Sequence, residues 1–114
     1  IALAALDPDV TRCSAAIPWV ADLAGNAKFQ RMIGWRPPFT ETLGYFDTAN
    51  LATRVTCPTD LEIGLGDDVC PASGQMILFR HLKGTKRLKV NQNFGHGCAF
   101  GWNTAAYEFK DEIQ

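Results

Sequence analysis

The stretch VTCPTDLEIGLGDDVCPAS, Val55 to Ser73, decides how the chain folds. Val55 to Leu65 is rich in apolar and β-branched residues and ends at Gly64 to Gly66, which reads as a strand running into a turn. Two aspartates, Asp67 and Asp68, follow at once. Beyond Pro71 the apolar spacing turns helical from Ser73 to Leu82, with Arg80, His81 and Lys83 closing the last turn and Gly84 just after it, as helix C-termini prefer. A strand thus delivers carboxylates into a loop, and a helix leads the chain away.

The same alternation continues on both sides. Ile1 to Leu6 reads as the last turns of a helix stopped by Asp7-Pro8, because proline disfavours helical geometry in the residue before it. Arg12 to Trp19 is a short apolar run suited to a buried strand. Val20 to Met32 has apolar residues at 20, 23, 24 and 27 with Gly25-Asn26 interrupting the period, so one weak helix or two short ones fit. Trp35-Arg36-Pro37-Pro38 reads as a loop, and Phe39 to Arg54 as two short helices with Asp47 capping the second.

Downstream, Arg87 to Gln92 alternates polar residues with Leu88 and Val90, as a strand does, and the glycine-punctuated FGHGCAFG follows. Trp102, Ala105, Ala106, Phe109 and Ile113 fall at i, i+3, i+4, i+7 and i+11, the stripe of an amphipathic helix. Strands alternating with crossover helices predict an α/β fold, an open and mostly parallel sheet with helices on both faces. Such sheets bind ligands in the loops at the carboxyl ends of their strands.

Composition narrows the partners. The chain has 114 residues, 46% apolar and 20% charged, enough for one domain with a real core. Its formal charge of −1, with acidic and basic residues mixed, argues against nucleic acid and against an anionic membrane surface. No apolar run approaches the roughly 18 to 20 residues that cross a bilayer. IALAAL lacks a basic segment before it and does not read as a signal peptide, and with no initiating methionine the chain is expected to start inside a larger protein. Cys13, Cys57, Cys70 and Cys98 show no C-x-x-C spacing and read as free, largely buried thiols, which favours a reducing, cytoplasmic compartment.

Two strand-end loops carry titratable groups, Gly66-Asp67-Asp68 and Gly95-His96-Gly97. If their strands are parallel neighbours, both loops open on one edge of the sheet and a carboxylate can meet an imidazole. The carboxylate would fix the ring tautomer and stabilise the imidazolium formed when the other nitrogen takes a proton from a nucleophile. Spacing alone leaves His96 equally a turn histidine between glycines. Cys70, His96 and Cys98 make three metal donors without the fourth that structural zinc wants. Cys70 as a thiol nucleophile is disfavoured because it follows the acid in the chain and precedes a helix-starting proline. His81, among basic residues at a helix end, reads as a surface residue.

DPDV after an apolar helix end, GYFDTANLATRVTCP, GLGDDVCPAS and NFGHG, in that order over nearly the whole chain, resemble the C-terminal half of the carbohydrate esterase family 7 enzymes, the acetyl xylan esterases and cephalosporin C deacetylases of the α/β-hydrolase fold. The aspartate and Gly-His pieces are shared widely among α/β-hydrolases; Gly44 to Pro58 narrows the choice. The resemblance implies that residues 1–114 are the C-terminal part of an esterase domain, that Asp67 is the acid and His96 the general base, and that Asp68 is a solvated neighbour. It also implies a small acetylated sugar or ester as substrate, no metal or organic cofactor, no membrane, and a homo-oligomer, often a hexamer with its active sites facing an internal space.

One part of the machinery is missing. The serine of an α/β-hydrolase sits in G-x-S-x-G and precedes acid and histidine in the chain. Ser14 and Ser73 are the only serines, and neither has glycines at −2 and +2. The resemblance puts IALAALDPDV just downstream of that elbow, so the nucleophile and its oxyanion donors are expected upstream of Ile1, and these residues alone should be close to inactive. Two alternatives stand beside this reading: a non-catalytic binding or structural module on the same scaffold, and another hydrolase branch, peptidase or dienelactone hydrolase-like. The strand bearing Asp67 also departs from an all-apolar pattern, because Asp60 and Glu62 share a face and need either exposure or a partner such as Arg54.

Overall fold

The computed structural model describes residues 1–19, 21–32, 38–92, 94–96 and 106–111. Strand alternation sorts the central strand, β2 (Thr59–Gly64), into two faces: Leu61 and Ile63 are 1% and 0% exposed, while Asp60 and Glu62 point the other way and are half-buried. β1 (Cys13–Ala16) pairs parallel to β2 on one side and β3 (Lys86–Asn91) parallel on the other, with Cys13, Thr59 and Lys86 abreast. β4 (Ala106–Asp111) runs antiparallel to β3, giving the order β1-β2-β3-β4.

Helices fill the crossovers. α1 (Ala2–Leu6) precedes β1, and α2 (Leu23–Phe29), α3 (Glu41–Gly44), α4 (Thr48–Leu51) and a 3₁₀ turn at Ala52–Arg54 join β1 to β2. α5 (Ala72–His81) joins β2 to β3. Leu61, Ile63, Leu88 and Val90 pack with Ala5, Ala49, Ala52, Val55, Leu78, Phe79 and Leu82 in one apolar core. Each fully buried aliphatic side chain there contributes about 1.5–3 kcal/mol.

Local polar bonds set the helix positions. Asp47 caps α4 as expected, accepting from the amide of Ala49 at 2.9 Å, and also accepts from the amides of Asp22 and Leu23 at 3.0 and 2.7 Å. One buried carboxylate thus starts α4 and fastens the start of α2 to it. At the far end of α5, the ammonium of buried Lys86 donates to the carbonyls of Arg80 and Leu82 at 3.3 and 3.2 Å, satisfying acceptors the helix leaves open.

Several expectations are corrected. The strand predicted from Val55 begins only at Thr59, because Val55 instead accepts from the amides of Lys83 and Gly84, and Pro58 has no N–H for the ladder. β1 is shorter than 12–19, since Ile17 turns to φ 46° before Pro18. Gly84 supplies space rather than a left-handed cap: a Cβ there would sit 2.3 Å from the carbonyl oxygen of Thr56. His81 is half-buried, its Nδ1 2.7 Å from the carbonyl oxygen of Ala49, so it ties α5 to α4. Of the helix predicted over 102–113, residues 106–111 form β4, while Trp102, Ala105 and Ile113 lie outside the described residues. Tyr107 and Phe109 alternating with Glu108 and Lys110 satisfy period two as well as the helical stripe, and the edge of β3 offers the hydrogen bonds.

The second face of the sheet also differs. Among the described residues the core helices pack on one face, and the other carries charge. Asp60 pairs with Arg12 at 2.6 Å and Arg87 at 2.8 Å, and Glu62 with Lys89 at 3.3 Å and the Asn91 amide nitrogen at 2.7 Å. The partners of these acids are therefore β3 residues and Arg12, just before β1, rather than Arg54. The hydrogen bond from Arg12, opposed by burial and reinforced by the hydrogen bond and charge of Arg87, holds the Asp60 carboxyl below its usual value. A lowered carboxyl stabilises fully above the unfolded-state value and loses that contribution as pH falls through the folded one. Asp60→Asn is expected to cost about 1 kcal/mol or less at neutral pH. Urea unfolding of both proteins should show that gap constant down to the ordinary carboxylate range and closing below it.

Candidate active site

The ends of β2 and β3 are in register, Gly64 opposite Asn91, so the loops after them leave from one edge of the sheet. Main-chain bonds stitch the loops together: the amide of Leu65 donates to the Asn91 carbonyl at 3.0 Å, and that of Gly66 to the Phe94 carbonyl at 2.9 Å. The approach is close enough to exclude a side chain at position 64. A Cβ there would lie 2.5 Å from the Phe94 oxygen and 3.1 Å from the Gly95 oxygen.

This contact brings Asp67 and His96 together. The side chain of Asp67 is fully buried, and its Oδ1 accepts from the amides of Val69 at 2.9 Å and Cys70 at 2.7 Å. Oδ2 is thereby aimed at Nδ1 of His96, 3.1 Å away. An ionised carboxylate only accepts, so His96 Nδ1 carries the hydrogen and donates it, leaving Nε2 with a lone pair. The ring is 45% exposed, so a reactant can reach it from solvent.

The floor of the loop is built from α5 and from a second apolar cluster. Gln75, wholly buried, donates through Nε2 to the carbonyl of Cys70 and so holds the turn that presents the two amides to Asp67. Leu23, Met32 and Cys70 pack together, with Ile17 and Leu43 against them. Asp68 points to solvent, as expected of a neighbour outside the pair.

Ser14 lines the charged face of the sheet and Ser73 is exposed on α5; among the described residues neither hydroxyl bonds to His96. Cys13 and Cys57 are unpaired thiols, and Cys98 lies outside the described residues. Asp67, Cys70 and His96 bring one donor atom each to within 4.8 Å of one another. Sequence reasoning missed Gly64 and Gln75. The glycine's signal was its place at the last position of a strand, but the helix pattern gave none for a buried glutamine.

A parallel sheet whose successive strand-end loops bring a buried aspartate onto a histidine, acid before histidine in the chain, defines an α/β-hydrolase scaffold. The acetyl xylan esterase (AXE1) family model matches residues 37–113, and the chain belongs to that family. It is 34% identical over 92 residues to acetyl esterase Axe7A of Xylanibacter ruminicola, a match covering 73% of this chain and 21% of that protein. Among solved structures, acetyl xylan esterase 1 from Thermoanaerobacterium sp. JW/SL YS485 superposes with a TM-score of 0.72 at 25% identity over 86% of this chain and 36% of that one. An acetyl xylan esterase from Paenibacillus sp. R4 gives the same TM-score, 0.72, at 24% identity over 83% of this chain and 35% of that one. The chain therefore spans about a fifth to a third of the length of these relatives.

Gly64→Ala should push the His96 loop off the end of β2. The expected result is loss of the downfield Nδ1–H proton resonance of His96, together with destabilisation of about 1–3 kcal/mol by overpacking. Proton NMR at neutral pH and a denaturant titration check both.

Proposed function

We propose that these residues supply the acid and the general base of a serine esterase that removes acetyl groups from acetylated sugars or related small esters. The observation that carries the reading is the Asp67–His96 pair at 3.1 Å, with the other carboxylate oxygen already committed to two amides. In this reading residues 1–114 are the C-terminal part of a longer α/β-hydrolase domain. Its serine and oxyanion donors come from upstream of Ile1, and the piece alone is close to inactive. The family membership and the relatives' names support an ester substrate.

The mechanism follows from the tautomer. Nε2 of His96 takes the serine proton as the oxygen attacks the ester carbonyl, and Asp67 stabilises the imidazolium and keeps the ring in place. The same proton passes to the departing sugar hydroxyl, leaving an acetyl-serine. A water then gives its proton to Nε2, attacks the acyl carbon and releases acetate with the serine restored. This chemistry asks for no metal or organic cofactor. We further propose a homo-oligomer as the working form and no nucleic-acid partner; among the described residues no helix is long and apolar enough to cross a membrane.

One observation favours a second reading, a non-catalytic module: neither Ser14 nor Ser73 bonds to His96 among the described residues. The full-length parent chain decides. With p-nitrophenyl acetate and an acetylated xylo-oligosaccharide, His96→Ala is expected to lower kcat by about 10⁶-fold. Asp67→Asn should lower it by about 10⁴-fold, because the amide favours the wrong tautomer. Full activity in both variants would leave the pair a remnant and favour the module.

A further inference from the structure

The buried thiol of Cys70 has no part in the proposed reaction, yet it lies beside the two groups that do. Its sulfur, a carboxylate oxygen of Asp67 and a ring nitrogen of His96 are all within 4.8 Å of one another, the first two residues buried and the imidazole facing solvent. We propose that these three side chains form an inhibitory site for a thiophilic divalent cation, zinc above all, which competes for the carboxylate–imidazole pair.

The chemistry of the donors selects the ion. A mixed sulfur, nitrogen and oxygen set suits a borderline-soft cation, whereas calcium and magnesium want oxygen throughout. Tetrahedral zinc, with bonds of about 2.0–2.3 Å, holds its donors roughly 3.3–3.8 Å apart, so the set has to contract by about 1.5 Å at most. His96 provides that movement, being 45% exposed on a loop with glycine on either side. The fourth position falls to water on the exposed side of the ring, as in zinc sites with three protein ligands.

Binding is balanced in protons. The thiol proton leaves to solvent, and the Nδ1 hydrogen moves to Nε2 as Nδ1 becomes a ligand. The hydrogen bond to Asp67 is exchanged for metal bonds to both partners. Nε2 then carries a hydrogen and accepts none, so the base is lost while the ion stays. The binding stands on the donor geometry; the inhibition rests on the esterase reading.

The full-length chain is titrated with Co²⁺ alone, following the near-ultraviolet thiolate-to-cobalt charge-transfer band, and then with Zn²⁺ as competitor. The site is supported if a one-equivalent band appears, Zn²⁺ abolishes it, Cys70→Ser removes it and Cys13→Ser keeps it. His96→Ala, at an exposed loop position, should weaken Co²⁺ binding at least tenfold, and it decides the matter if Cys70→Ser does not fold. No band, or a band surviving both Cys70→Ser and His96→Ala, overturns the site. In parallel, Zn²⁺ inhibition of p-nitrophenyl acetate hydrolysis should weaken at least tenfold in Cys70→Ser, each protein compared with itself without metal. A Cys70-dependent band without inhibition upholds the site and counts against the acid–base role of the pair. Inhibition unchanged in Cys70→Ser, with no band, overturns the site and leaves the esterase reading standing.

Discussion

The carbonyl oxygen of Phe94 lies 2.5 Å from where a Cβ on residue 64 would stand, and the geometry of the site depends on that approach. Only glycine at the end of β2 lets the loop after β3 cross so closely. Once it does, the Gly66 amide finds the Phe94 carbonyl and the Leu65 amide finds that of Asn91, which fixes where His96 emerges. Asp67 begins three residues further along the same turn and meets the ring without further adjustment.

Burying a carboxylate completely is costly unless its lone pairs are used. Asp67 uses them on the amides of Val69 and Cys70 and on the imidazole, so the loop, the carboxylate and the ring hold one another in place. The same logic explains Asp47, whose carboxylate accepts three amides at the start of two helices. On the other face of the sheet the acids are less buried and are met by Arg87 and Lys89 of β3 and by Arg12 just before β1. Charge in a central strand is tolerated there because the register with β3 places opposite signs side by side.

Much of this was legible in the sequence, for physical reasons. The strand before Asp67, helix α5 and the Asp47 cap are local features written in period, termini and cap chemistry, and the pairing of Asp67 with His96 follows once two neighbouring strands are taken as parallel. Features that depend on distant backbone were not legible. The role of Gly84 lies in the loop at Thr56, that of His81 in the Ala49 carbonyl, and that of Gln75 in the Cys70 carbonyl. Residues 106–111 fit two periods at once, and the open edge of β3, which no local pattern reveals, accompanies the strand.

The central claim is that Asp67 and His96 serve a serine supplied from upstream of Ile1. The most direct measurement is to treat the full-length parent chain with a fluorophosphonate and locate the adduct by peptide mass spectrometry. The account expects one adduct per chain, on a serine in a G-x-S-x-G turn before Ile1, formed far more slowly in His96→Ala. An adduct on Ser14, Ser73 or Cys70, or none, would contradict it.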